Sequence, residues 1–263
     1  DMAEWNSMRW IDNDTRLVMG PGVRLGDLDK YMLEKHKFLP HGECGWVCAG
    51  GHCQTGGFSV DLPRSFGFFI DYIDEITIIT PPKDNAADTM PPIITVKQPK
   101  KGVTTPENDE MWFALVGGSP GNFGVVVRMV VRPISDAPYL DARTRVGAYP
   151  FDEEAYQFCL ETMQTFQSDE DMPADYNFSI SVVQGEMNES SGTNNLDLQM
   201  AKYHKEVYGR RFARFPCPLI LVMATWANLK GTAEPYESCT KAQAFFAAID
   251  EMEKRVYASQ SLL

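Results

Sequence analysis

The chain has no apolar run approaching the roughly 20 residues that a membrane-spanning helix needs. Its best candidates, Gly124 to Val131 and Pro218 to Ala227, are strand-length, and Arg128 interrupts the first. Basic residues are scarce: 24 Lys and Arg stand against 36 Asp and Glu, for a net charge of −12. That balance argues against a nucleic-acid partner, which wants a basic face, and against adhesion to an anionic membrane. Six cysteines in 263 residues are too few, and too unevenly spread, for a disulfide scaffold. There is no internal repeat and no low-complexity tract. No glycine-rich loop ends in the Gly-Lys-Ser/Thr of a phosphate-binding NTPase loop.

What is present is ordinary globular material. Apolar content is 44% and charged content 23%, with length enough for a substantial core and two domains. Three glycosylation-type tripeptides, at Asn13, Asn177 and Asn188, tilt the expected location toward a secreted or endomembrane-lumen protein. One stretch stands apart. Residues 41–58 hold three of the six cysteines, two of the four histidines and six of the twenty glycines. Glycines let a backbone turn tightly and approach a ligand closely. Cysteine and histidine bring nucleophilic, ligating or proton-carrying chemistry. Such a loop is suited to holding a cofactor, with inert buried cysteines as the plain alternative. Zinc fits poorly, because Cys44, Cys48, His52 and Cys53 crowd into ten residues instead of forming two separated pairs. No metal is expected.

Around that loop the periodicity predicts a strand over Thr15 to Met19, a helix over 25–36, and a strand over Asp71 to Thr80 with a returning partner at Ile93 to Lys97. Asp109 is expected to cap a helix over Glu110 to Val116, before a strand over Phe123 to Arg132. After a boundary at Pro133 to Pro138, the pattern predicts helices at Phe151 to Phe166, Leu196 to Tyr208 and Tyr236 to Tyr257. Strands are expected at Tyr176 to Val183 and Leu219 to Trp226. A sheet with helices on one face satisfies this order, so the fold class is α+β.

Two further motifs dissolve on inspection. Gly20-Pro21-Gly22-Val23-Arg24-Leu25-Gly26 sits between strand and helix, but its last glycine is one residue late for a dinucleotide fingerprint. Gly117-Gly118-Ser119-Pro120-Gly121 spells a nucleophile elbow, yet it follows a helix and precedes a strand, the reverse of an elbow. Pro120 also lacks the N–H that an oxyanion needs.

Cys44-x-x-Val47-Cys48-Ala49-Gly50-Gly51-His52-x-x-Thr55-Gly56-Gly57-Phe58 resembles the flavin-attachment region of the berberine bridge enzyme-like oxidoreductases, within the vanillyl-alcohol-oxidase (PCMH) type of FAD-binding fold. The resemblance extends over residues 15 to 133. It takes in Gly20-Pro21-Gly22-x-x-Leu25-Gly26, Arg64-Ser65-Phe66-Gly67 with Asp71, Asp109 to Leu115 with Gly117-Gly118, and Gly121 to Val126. It implies a partial FAD-binding domain over 1–136 and a partial substrate-binding domain over 137–263. It implies FAD as cofactor, with Cys44 in the position of the family cysteine that bonds to carbon 6 of the flavin. The backbone at Cys48, Ala49, Gly50, Gly51 and His52 is implied to meet the cofactor. Phe58 and Val126 take positions that line its site. For His52 two roles stay open, a hydrogen bond to the cofactor or fixing of the loop. The implied reaction is oxidation of an alcohol, carbohydrate or alkaloid-like small molecule, with dioxygen as electron acceptor. The alternative is a truncated or degenerate paralogue that binds flavin or another ligand without catalysis. Two departures stand out: Thr55 replaces a family glycine, and no residue matches the family's second flavin-bonding histidine or its catalytic base.

Overall fold

A computed structural model describes residues 2–59, 63–82, 90–117, 121–136, 139–170, 172, 174–183, 218–229 and 236–260, the side chains of 139–141 and 228–229 excepted. The chain divides into two units, Asp1–Pro138 and Tyr139–Leu263.

The first unit is built on a five-stranded antiparallel sheet in the order β1-β2-β6-β4-β5. These strands are β1 (Met8–Ile11), β2 (Arg16–Met19), β4 (Ile73–Ile79), β5 (Ile93–Lys97) and β6 (Val125–Val131). Alternation decides which face is buried. Leu17 pairs with Val131 and Met19 with Met129; Met129 pairs with Ile76, Val126 with Ile78, and Ile76 with Val96. All of them are buried in one core. Register shifts in the β4–β6 pairing, between Ile73 and Glu75 and between Thr77 and Ile78, keep the apolar side chains on that face. The helix α1 (Leu25–Leu33) buries Leu25, Leu28 and Met32 there, at helical spacing. A short pair, β3 (Lys37–Phe38) with β7 (Ile134–Ser135), stands outside the main sheet.

Two predicted boundaries are corrected. The predicted helix over 25–36 stops at Leu33, and His36 lies beyond it with φ of 52°. The helix predicted from Glu110 is α4 (Pro106–Val116), one full turn longer. Its N-cap is Thr105, whose Oγ1 accepts from the Asn108 N–H, and Pro106 stands just inside, where a missing N–H costs nothing. Asp109 is a first-turn residue, not the cap. Asn108 also reaches the sheet edge: its Nδ2 donates to the Lys97 carbonyl and its Oδ1 accepts from the Lys97 N–H, both at 2.8 Å.

The second unit holds a three-stranded antiparallel sheet, β8-β10-β9, made of β8 (Tyr139–Pro150), β9 (Tyr176–Val183) and β10 (Leu219–Leu229). Ile220, Val222, Ala224 and Trp226 alternate onto one face of β10. They share a core with Ala155 and Cys159 of α5 (Glu153–Ser168) and with Phe245, Phe246, Ile249, Met252 and Val256 of α6 (Thr240–Gln260). The helices therefore cover one face of that sheet, as expected of this α+β arrangement. Asp152 caps α5 through the Ala155 N–H. The predicted helix over Leu196 to Tyr208 lies outside the described residues, as do Gly118 to Pro120. Of the glycosylation-type tripeptides, Asn13 is exposed in the β1–β2 turn and Asn177 is buried on β9, while Asn188 lies outside the described residues.

Candidate active site

The cysteine loop is zipped onto the first glycine-rich turn. Gly26 N–H donates to Gly45 O at 3.0 Å and Leu25 N–H to Val47 O at 2.9 Å; in return Ala49 N–H donates to Val23 O at 2.8 Å and Gly50 N–H to Pro21 O at 3.0 Å. Arg24 and Cys48 form an antiparallel bridge between these bonds. Glycine is required where the two segments touch: a Cβ on Gly50 would lie 2.5 Å from Pro21 Cβ. This contact explains the short helix α2 (Ala49–Gln54), whose first turn holds two poor helix formers, Gly50 and Gly51. Its first N–H groups, orphaned in any helix, find partners in the carbonyls of Val23 and Pro21.

The zipper places the three cysteines differently. Cys44 and Cys48 are exposed, whereas Cys53 is fully buried, its Sγ 3.3 Å from Gly50 O and 3.2 Å from Met129 Sδ. Burial pushes the Cys53 thiol up to about 12, so it stays a neutral packing group. Among the described residues no three His, Cys, Asp or Glu side chains gather to hold a metal ion.

A second set of bonds fixes the other side of the loop. His52 Nε2 accepts the Gly42 N–H at 2.9 Å, so that nitrogen carries no proton. The Gly42 carbonyl, which can only accept, lies 2.9 Å from His41 Nδ1, so that nitrogen is protonated. His41 Nε2 meets Asp29 Oδ1 of α1 at 2.8 Å. The two imidazoles therefore flank one peptide in opposite roles. Burial works against the charged form of His41. The hydrogen bonds to Asp29 and Gly42 and the charges of Asp29 and Glu43 outweigh it and raise its pKa above the ordinary value. Burial, helped by the charge of His41, lowers that of His52, with Glu43 opposing. Both rings pack on Phe69, with centroids 6.4 Å and 6.1 Å away.

The glycines after α2 turn the chain. Gly56 has φ of 93° and Gly57 of 70°, while Thr55 has φ of −109°. Thr55 therefore needs no left-handed backbone, and its departure from the family pattern carries no strain. Gln54, buried, joins the loop to the second glycine-rich turn: its Nε2 donates to Gly50 O at 2.8 Å and its Oε1 accepts from Gly121 N–H at 3.3 Å. Ser59 Oγ donates to Glu43 Oε1 at 3.3 Å.

Several groups of a kind that suits a flat ring system stay exposed: the Cys44 thiol, Gly51, whose Cβ position meets nothing within 4 Å, and the rings of Trp46, Phe58 and Phe68, the last two 6.0 Å apart. These residues fit a flavin. The N–H groups of Ala49, Gly50 and His52 point elsewhere, since they donate to Val23, Pro21 and Cys48 carbonyls. Their part in holding a cofactor would be shape rather than amide donation. Val126 is buried among Ile78 and its neighbours and packs in the core. Asp29, His41 and Gln54 were not among the residues singled out for the site. Twelve residues separate Asp29 from His41, and no motif links them.

No family model matches the chain. Relatives are found among curated proteins. The FAD-linked oxidoreductase easE of Trichophyton verrucosum is 31% identical over 123 residues, covering 46% of this chain and 18% of that protein. Berberine bridge enzyme-like 2 of Arabidopsis thaliana is 27% identical over 122 residues, covering 46% of this chain and 20% of that protein. Among solved structures, a glycopeptide hexose oxidase complexed with teicoplanin superposes with a TM-score of 0.63 at 20% identity, over 97% of this chain and 46% of the other. The matched part is thus about a fifth of the curated relatives' length, and the structural likeness carries the fold.

Proposed function

We propose that this chain, related to the berberine bridge enzyme-like FAD-linked oxidoreductases and folded as their PCMH-type structures are, is the flavin-facing part of an FAD-dependent oxidase. The observation that carries this reading is the exposed Cys44 thiol, on a loop pinned on one side by Gly26–Gly45 and on the other by Gly42–His52. A loop held so firmly with a nucleophile outward is pre-organised for a partner. Cys44 would hold the cofactor covalently, and Gly51, Trp46 and Phe58 would flank it. Bound FAD supplies the acceptor for two electrons from an alcohol, carbohydrate or alkaloid-like substrate, and dioxygen is the terminal acceptor. The chain's own residues keep the loop in register: neutral His52 accepts from Gly42, and Cys53 anchors α2 in the core. The oxidase named for glycopeptide hexose among the structural neighbours supports the carbohydrate class for the substrate.

The test is colour. The protein purified from its full reading frame should be yellow, the colour should survive acid precipitation, and Cys44→Ala should release it. Flavin lost wholly on precipitation of the unmutated protein would overturn the covalent bond to Cys44, and colourless protein would favour instead a non-catalytic ligand-binding paralogue. The engaged N–H groups of Ala49, Gly50 and His52 are compatible with that reading.

A further inference from the structure

Gly42 stands two residues before Cys44, and its peptide is gripped from both ends. His52 takes its N–H, His41 donates to its carbonyl, and His41 is in turn held by Asp29. None of these bonds is needed to build the sheet or to zip residues 21–26 onto residues 45–50. We propose that Asp29 and His41 are positioning residues for the Cys44 segment, acting through the Gly42 peptide on His52. Together they form a clamp that holds the loop only while one imidazole is charged and the other neutral. The importance of the clamp for cofactor attachment rests on the reading of Cys44 given above; the clamp itself does not.

The geometry sets the logic. For His41 to serve both the Gly42 carbonyl and the Asp29 carboxylate it must donate from both nitrogens, so it must be imidazolium. For His52 to accept from the Gly42 N–H its Nε2 must be bare, so it must be neutral. The groups that bear on the pair come from three directions: Asp29 from α1, Glu43 from the loop, and each histidine on the other, with the apolar Phe69 ring completing the enclosure. Exchanging the two protonation states would leave the Gly42 N–H facing a donor, at the cost of a lost hydrogen bond. The clamp is closed between two titrations. It opens on acidification as His52 takes a proton, and on alkalinisation as His41 loses one. The shifts place these events below and above the ordinary imidazole value of about 6.5.

Hydrogen exchange of the apoprotein tests this without any flavin. Protection of the Gly42 amide, corrected for intrinsic exchange, should be bell-shaped in pH, with nitrogen-15 imidazole spectra showing His41 doubly protonated at the maximum and His52 neutral. In Asp29→Asn the alkaline limb should move down by about 1 pH unit, as expected for loss of an adjacent opposite charge, while the acid limb stays. Asp29→Glu should restore it. A purely structural contact would lower protection at every pH without moving one limb. Protection that is flat in pH, or an acid limb that moves with Asp29→Asn, overturns the proposal, and the unmutated titration decides it even if a variant fails to fold. In a second arm with FAD, covalent yield should follow the same bell. Failure of the unmutated protein to take flavin at any pH would overturn the flavin reading and leave the clamp standing on the apoprotein data.

Discussion

At the scale of single residues, burial sorts the cysteines. Cys44 and Cys48 lie in solvent, whereas Cys53 and Cys159 are fully enclosed, and burial pushes their thiols up to about 12 and about 11. Because the thiolate is the reactive form, iodoacetamide added to the folded, flavin-free protein should label Cys44 and Cys48, and label Cys53 and Cys159 only after denaturation. Peptide mass spectrometry reads this directly, and a Cys53 modified as fast as Cys44 would contradict the packing described. Composition alone made the loop visible, since cysteine, histidine and glycine cluster there against their averages. It did not separate the three thiols. That depends on Met129 and Gly50 closing over Cys53, and Met129 stands 76 residues away. The Asp29–His41 bond was equally unreadable, as it joins a helix to a loop through side chains with no spacing rule.

At the scale of elements, most of what carried an apolar period was legible. The strands at Ile93 to Lys97 and Tyr176 to Val183 fall where alternation puts them. β8 escapes the periodicity for a physical reason: it lies at a sheet edge, Tyr149 is its one buried side chain among those described, and Arg143, Arg145 and Gly147 share the helix-side face with it. α2 hid because its first turn contains Gly50 and Gly51 and is stabilised by carbonyls from another segment. The start of α4 was misplaced because a run of polar residues reads as loop until Thr105 and Pro106 are recognised as a cap and first position. Thr105→Ala should therefore lower the stability of the first unit by about 1 kcal/mol, and Asp109→Ala by less than about 0.5 kcal/mol. Urea unfolding of the two variants checks it, and equal losses would return the cap to Asp109.

At the scale of the molecule, each unit closes a core of its own, one on the five-stranded sheet and one between the three-stranded sheet and its two helices. A five-stranded open sheet leaves two outer strands, here β1 and β5, and Ile93 of β5 is exposed. Such edges recruit other chains. The Asn108 side chain answers this at Lys97, because a primary amide offers the same donor and acceptor as the peptide of a neighbouring strand. Asn108→Ala should free both groups, and light scattering at rising concentration should then report larger species than the unmutated protein gives. An unchanged distribution would mean that the edge is guarded elsewhere. One amide thus acts as a counterfeit neighbour: at an edge where the described residues place no further strand, it helps keep an acidic protein from becoming the template for its own precipitation.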